Sequence, residues 1–301
     1  MTAHTLSSTA ERAYWLGRYL ERSETTARLI AVHANLLMDL PKRISLGWRP
    51  LVEITGNLTL FGELFGEVTE RNVCRFLIND PRHSGSLLSS LSWARENART
   101  LRGIIPKHAF EYVNEMHLEA RDGLSEPLSR SRRFEGLSRI GEHVQRIDGF
   151  MSANMMHDAH WRFLRIGQFI GRADMTARGI DGATRSAWQS ATRLEGFAGI
   201  QWRSVLRSLY AQHSYNTSVG EPITQGPVIH FLLNHRGLPR SVAYGLNSVR
   251  NSLRGLPRNE LPMRTVNRML RQLGQTAVQG LGGPELSAYL DQCQIGLSEI
   301  H

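Results

Sequence analysis

The chain has 301 residues, 41% of them hydrophobic and 21% charged, with a formal net charge of +9. These values exclude a disordered polypeptide and leave room for a substantial core. No apolar run approaches the roughly 20 residues that a membrane helix needs, and Cys74 and Cys293 have neither metal-ligand nor disulfide-framework spacing.

Helical periodicity dominates in chain order. From Ala13, the positions Leu16, Leu20, Ala27, Ala31, Ala34 and Met38 advance by three- and four-residue steps and predict one long amphipathic helix closed by Pro41. Further helices are predicted over 50–65, 70–79, 86–103, 107–124, 134–157, 159–188, 202–215, 224–235, 240–254, 263–280 and 284–298. Proline marks many junctions, at Pro81, Pro106, Pro127, Pro222, Pro239, Pro257 and Pro284. No alternating apolar stretch bounded by turn residues predicts a strand. The expected fold class is all-α.

The chain also repeats itself. Residues 13–30 and 163–180 share Gly17/Gly167, Arg22/Arg172, Thr26/Thr176, Ala27/Ala177, Arg28/Arg178 and Ile30/Ile180. Trp48-Arg49 then matches Trp202-Arg203, and "FLIN" (76–79) matches "FLLN" (231–234), followed by Ser86/Ser241, Leu91/Leu246, Arg95/Arg250 and Arg99/Arg254. Matching segments in one order, with a nearly constant offset, predict two homologous helical halves, 1–150 and 151–301. No Gly/Ser/Pro-rich linker lies near 150. The expectation is therefore a single helical-bundle domain over 1–301, its halves related by a pseudo-two-fold axis with their long first helices packed together.

The repeated helix concentrates charge. Arg12, Trp15, Tyr19, Arg22 and Thr26 form one line beside the apolar stripe, and Arg162, Arg165, Phe169, Arg172 and Thr176 repeat it. Glu24 precedes Arg28 by four residues, the favourable order for a helical ion pair, and Asp174 precedes Arg178 likewise. Gly17 and Gly167 each cost about 1 kcal/mol of helix propensity relative to alanine, which predicts close approach of another helix or a ligand. Two readings follow. The charges form a salt-bridge lattice that locks the long helices together, or they line a site for a carboxylate or phosphate. In the second reading Arg18, Arg22, Glu24, Arg28, Arg172, Asp174 and Arg178 bind, and Glu21 or Glu24 orients an amine or accepts its proton. Glu21 becomes Gly171 in the second copy and Arg18 becomes Gln168, so a working carboxylate belongs to the first half.

Arg95 and Arg99, with Arg102 on one helical face, form a second candidate binding surface, for which a solvated face is the plain alternative. His157 and His160, flanking Asp158, have a spacing that can hold a metal, with His117 as a possible third ligand, yet nothing requires one. All but Lys42 and Lys107 of the 36 Lys and Arg residues are arginine. Arginine's planar fork suits anionic groups, although a general arginine bias explains the composition as well. The arginines are spread from Arg12 to Arg271 among acids, which argues against a nucleic-acid partner. Phosphate loops of the G-x-x-x-x-G-K-S/T and G-x-G-x-x-G types are absent, as is a G-x-S-x-G elbow. ATP, if used, is then bound by a partner rather than by this chain.

"TAERAYWLGRYLERSETTARLI" (9–30), with its Glu21-Arg22 pair, resembles the bacterial alpha-E family, an all-helical domain with a Glu-Arg motif. "WARENARTLRG" (93–103), "HWRFLRIGQFIGRADMTAR" (160–178) and "FLLNHRGLPRSV" (231–242) extend the resemblance along the whole chain. The family pattern carries Glu-Arg in the second copy too, where this chain has Gly171-Arg172. The resemblance implies a setting beside circularly permuted ATP-grasp proteins and transglutaminase-like proteases. It thus implies an accessory or acceptor-binding role in ATP-dependent peptide or amide ligation, with ATP and magnesium held by the partner. The start "MTAHTLSSTAER" shows neither a basic leader nor an apolar stretch, and a cytoplasmic location is expected.

Overall fold

The computed structural model describes residues 7–40, 46–125, 129–189 and 198–301. Among them every regular element is helical: α1 (Ser7–Asp39), α2 (Arg49–Thr55), α3 (Leu58–Leu64), α4 (Glu70–Ile78), α5 (Leu87–Thr100), α6 (Lys107–Leu124), α7 (Arg130–Asn154), α8 (Ala159–Gln189), α9 (Ala198–Ser208), α10 (Gln212–Ser218), α11 (Gln225–Asn234), α12 (Val242–Leu253), α13 (Glu260–Gln275) and α14 (Gly283–Ile300), with a 3₁₀ turn at Val278–Gly280. The all-α expectation holds. No helix of the described residues is long and apolar enough to cross a membrane.

Among the described residues each sequence repeat opens with a long helix, α1 (33 residues) and α8 (31 residues), followed by shorter ones. Corresponding turns share their hydrogen bonds. Ser86 caps α5 by accepting from the Ser89 amide at 3.3 Å, and Ser241 accepts from the Tyr244 amide at 3.0 Å before α12. The Ser86 amide donates to the His83 carbonyl and the Ser241 amide to the Leu238 carbonyl, each at 2.9 Å. A hydroxyl at this position satisfies one of the unpaired amides of a helix start.

Several predicted boundaries shift. The helix expected over 50–65 breaks into α2 and α3, because Gly56 takes a left-handed conformation at φ +74° and caps α2. The helix expected over 202–215 breaks into α9 and α10 at Tyr210, a non-glycine residue with φ 51°. The segment expected over 263–280 leaves the α-helix at Thr276, which is extended. The helix expected over 134–157 begins and ends earlier, as α7. Pro41 and Pro127, the expected stops, lie outside the described residues.

The helices pack as two compact units. The first comprises Met1–Ala31, Cys74–Gly171 and Asn251–Pro257; the second comprises Val32–Val73, Arg172–Arg250 and Arg258–His301. Each unit thus draws on both sequence repeats, and its boundaries do not follow 1–150 and 151–301. In the first unit Leu16, Leu20, Leu91, Ala98, Met116 and Ile147 are buried, from helices α1, α5, α6 and α7. In the second, Val52, Phe61, Trp202, Tyr215, Leu232 and Met269 fill the interior.

Candidate functional site

Within the first unit α1 meets α8 at two glycines. A Cβ on Gly17 would lie 2.1 Å from the Leu164 carbonyl oxygen, and one on Gly167 would lie 2.0 Å from the Tyr14 carbonyl oxygen. Those pairs, 17 with 164 and 14 with 167, map onto each other under the repeat offset of 150. The contact is therefore reciprocal between the two sequence copies. Of the two partners the sequence allowed for these glycines, the structure supplies a helix.

One turn further on, Glu21 lies fully buried against Gly171. A Cβ on Gly171 would be 3.3 Å from Arg18 Nη1 and 3.5 Å from Glu21 Cγ. Thr25 Oγ1 donates to Glu21 Oε1 at 3.4 Å, the long end of a hydrogen bond. Arg18 is half-buried, and its Nη1 has no hydrogen-bond partner among the described residues. Its counterpart in the second repeat is satisfied: Gln168 accepts from Arg165 Nη1 at 2.6 Å and donates to Asp148 Oδ1 at 3.2 Å. A buried guanidinium N–H without an acceptor costs stability unless something accepts from it.

The same face of α1 continues in both directions. Trp15 stacks on Tyr19 at 5.3 Å, and the Arg22 guanidinium sits 5.7 Å from the centre of the Tyr19 ring. Arg12 Nη1 donates to Asn97 Oδ1 of α5 at 3.2 Å. Arg22, half-buried, acts electrostatically on His83, a buried residue in the turn before α5. Burial holds the His83 imidazole below the usual histidine range, and Arg22 adds to the effect.

Glu24 and Arg28 behave differently. They form a 2.8 Å ion pair one turn along α1, with both residues buried. This mutual pairing fits the lattice reading. Arg172, Asp174 and Arg178 belong to the second unit. There Asp174 pairs with Arg178 at 3.0 Å, half-exposed, and Thr176 Oγ1 donates to the Arg240 carbonyl at 2.8 Å. Arg178 also lines a polar cleft of about 120 Å³ with Glu53, Asp181, Arg185 and Asp291. The first-copy candidates are thus collected on one helix of the first unit, and the second-copy candidates are placed in the second.

Arg95 and Arg99 share Glu96 at 3.0 and 2.9 Å, and Arg95 Nε donates to Asn114 of α6 at 2.7 Å. Arg99 is exposed, and Arg95 and Glu96 are half-buried. His160 bonds Thr9 at 3.0 Å, His157 stacks on Trp161, and Asp158 accepts from the backbone amides of His160 and Trp161 at the start of α8. No group of three metal-ligating side chains forms among the described residues. Burial pushes the Cys293 thiol up to about 11, which keeps it protonated and a poor nucleophile.

The sequence reading passed over His83 and Ser90. The repeat held a signal for both, since at the offset of 155 they fall opposite Leu238 and Gly245.

A family model for alpha-E, a predicted alpha-helical domain with a conserved ER motif, matches residues 5–301. No curated protein and no solved structure gives a match.

Proposed function

The chain belongs to the alpha-E family, and on that footing we propose that it is an accessory or acceptor-binding component of an ATP-grasp-dependent peptide or amide ligase system in the cytoplasm. The partner holds ATP and magnesium, and a transglutaminase-like protease is a second candidate partner. The α1 face of the first unit receives an anionic or peptide substrate: Arg18 and Arg22 hold its negative group, and Glu21 orients its amine. The observation that carries this reading is Arg18 Nη1, buried without an acceptor beside the fully buried carboxylate of Glu21. The reciprocal glycine contacts support a pseudo-two-fold relation between the two sequence halves, in which only the first retains the carboxylate.

A scaffold reading has its own support in the buried Glu24–Arg28 ion pair, which joins the two side chains at 2.8 Å. It describes those two residues better than a ligand site does, and they are assigned to structure here. The test is affinity capture of the full chain from its native organism, followed by a ligase assay with the captured proteins. Capture of an ATP-grasp protein, with ligation lost on Glu21→Gln while the melting temperature holds, is the expected result. Absence of any ATP-grasp protein, or full ligation by a stable Glu21→Gln chain, overturns the reading in favour of the scaffold.

A further inference from the structure

Helices α1 and α5 of the first unit run antiparallel along one seam. Arg12 bonds Asn97 near the end of α5, and ten residues later Arg22 is near enough to act electrostatically on His83, before its start. Ten helical residues span about 15 Å. On the α5 side of this seam the polar positions recur at helical spacing: His83, Ser86, Ser90 and Asn97 are each at most 2% exposed. Ser86 is used as the helix cap and Asn97 by Arg12. His83 Nε2 and Ser90 Oγ are buried with no hydrogen-bond partner among the described residues.

The state of His83 follows from its other nitrogen. Nδ1 lies 3.2 Å from the Phe76 carbonyl oxygen, which can only accept, so Nδ1 carries the hydrogen. In the neutral ring Nε2 is then a bare lone pair. The ring is held in place by stacking on Phe76 at 4.2 Å between centroids and 6° between planes. A fixed, buried acceptor without a donor, seven residues before a buried hydroxyl in the same condition, is costly to keep for folding alone.

The second repeat provides the internal control. There His83 is replaced by Leu238, Ser90 by Gly245 and Glu21 by Gly171, whereas the capping serine and Arg22 persist as Ser241 and Arg172. The residues that build the fold are kept in both copies. The two unpaired polar side chains of this seam, His83 and Ser90, have apolar or absent side chains at their second-copy positions, and both lie in the first unit.

We infer that this seam binds a zwitterionic, amino-acid- or peptide-like ligand, with His83 Nε2 accepting one of its N–H groups, Ser90 adding a second polar contact, and Arg18 and Arg22 facing its carboxylate. The inference rests on the acceptor-binding reading above, since it names the chemistry of the acceptor in that same site.

The test is a long-range ¹⁵N–¹H spectrum of the histidine side chains in the full chain, titrated with glycylglycine and, separately, with acetate. Glycylglycine is expected to shift the His83 Nε2 signal saturably, while acetate, which has no N–H, leaves it in place. His83→Leu, which copies the second repeat, is expected to weaken glycylglycine binding at least tenfold by calorimetry, and Ser90→Gly several-fold. An unmoved Nε2 signal, an equal shift with acetate, or unchanged affinity in a folded His83→Leu chain overturns the inference. The wild-type spectrum decides alone if that variant does not fold. Capture of an ATP-grasp partner with an unmoved His83 signal would sink the inference and leave the ligase role standing. A shifted signal without such a partner would do the reverse.

Discussion

Glu21 packs against Gly171, the residue that occupies its own position in the second repeat, with the glycine's absent Cβ leaving 3.5 Å to Glu21 Cγ. Only one of the two equivalent positions on the crossing helices therefore carries a side chain, and the space serves the glutamate and the Arg18 guanidinium. Two equivalent carboxylates facing each other in this buried place would repel and force one of them to take up a proton.

The glycines of the seam divide into two kinds. At Gly17 and Gly167 an added methyl meets a rigid backbone carbonyl near 2 Å, so the helices must separate. Gly17→Ala and Gly167→Ala are each expected to cost about 3 kcal/mol in urea unfolding, the upper part of the overpacking range. The double variant should cost less than their sum, since the first methyl already opens the crossing for the second. Gly171→Ala meets the flexible end of Arg18 and ordinary contact with Glu21, and should cost under about 1 kcal/mol. Equal losses at all three positions would contradict the crossing geometry.

The two copies of the helical ion pair should differ sharply. Glu24 and Arg28 are buried, so removing one partner strands the other's charge. Arg28→Met is expected to cost about 3 kcal/mol, and adding Glu24→Leu should recover much of it. Asp174 and Arg178 are partly solvated, and Arg178→Met should cost about 1 kcal/mol or less. Chemical denaturation of the four chains measures both cycles.

Acid should weaken the fold from near neutrality. Burial lowers the His33 and His83 imidazoles below their ordinary value of 6.5, against the opposing effect of their hydrogen bonds to the Gly47 and Phe76 carbonyls. Below that value the unfolded chain binds protons that the folded chain resists, so stability falls as pH drops from about 6.5 toward each folded pKa. His83→Leu removes one titrating group and should flatten the slope of melting temperature against pH in that window. An unchanged slope would show that His83 titrates normally.

A second acid limb comes from Asp80. Its carboxylate is buried and accepts from Arg82 Nε at 3.0 Å and Nη2 at 2.7 Å, which holds its pKa below the usual carboxylate value despite burial. The stabilisation is complete above the unfolded pKa of about 3.9 and is lost as pH falls through the folded one. Asp80→Asn should lower stability at pH 7 and shrink the loss on going below pH 4, as read from urea midpoints. A full-size acid loss in Asp80→Asn would assign that limb to other carboxylates.

The sequence by itself determined what is local or repeated. Three- and four-residue apolar steps predict helices because those positions share one face, and paired Gly17 and Gly167 announce a close approach because glycine inside a helix is costly. The Glu21-Arg22 motif and its neighbours placed the chain in its family. Tertiary structure decided what depends on distant partners. Whether a chain leaves the helix at Gly56 or Tyr210 depends on a left-handed residue that periodicity does not mark. The two compact units draw on both sequence repeats because burial is shared among helices far apart in the chain. Glu24 and Arg28 read like any surface pair until the packed helix buries them. His83 and Ser90 differ from Leu238 and Gly245 at the matching repeat positions, but nothing in the sequence marks their polar atoms as unpaired. They become unsatisfied once folding removes water from their seam without replacing its hydrogen bonds, and only the folded chain reveals which polar atoms are left in that condition.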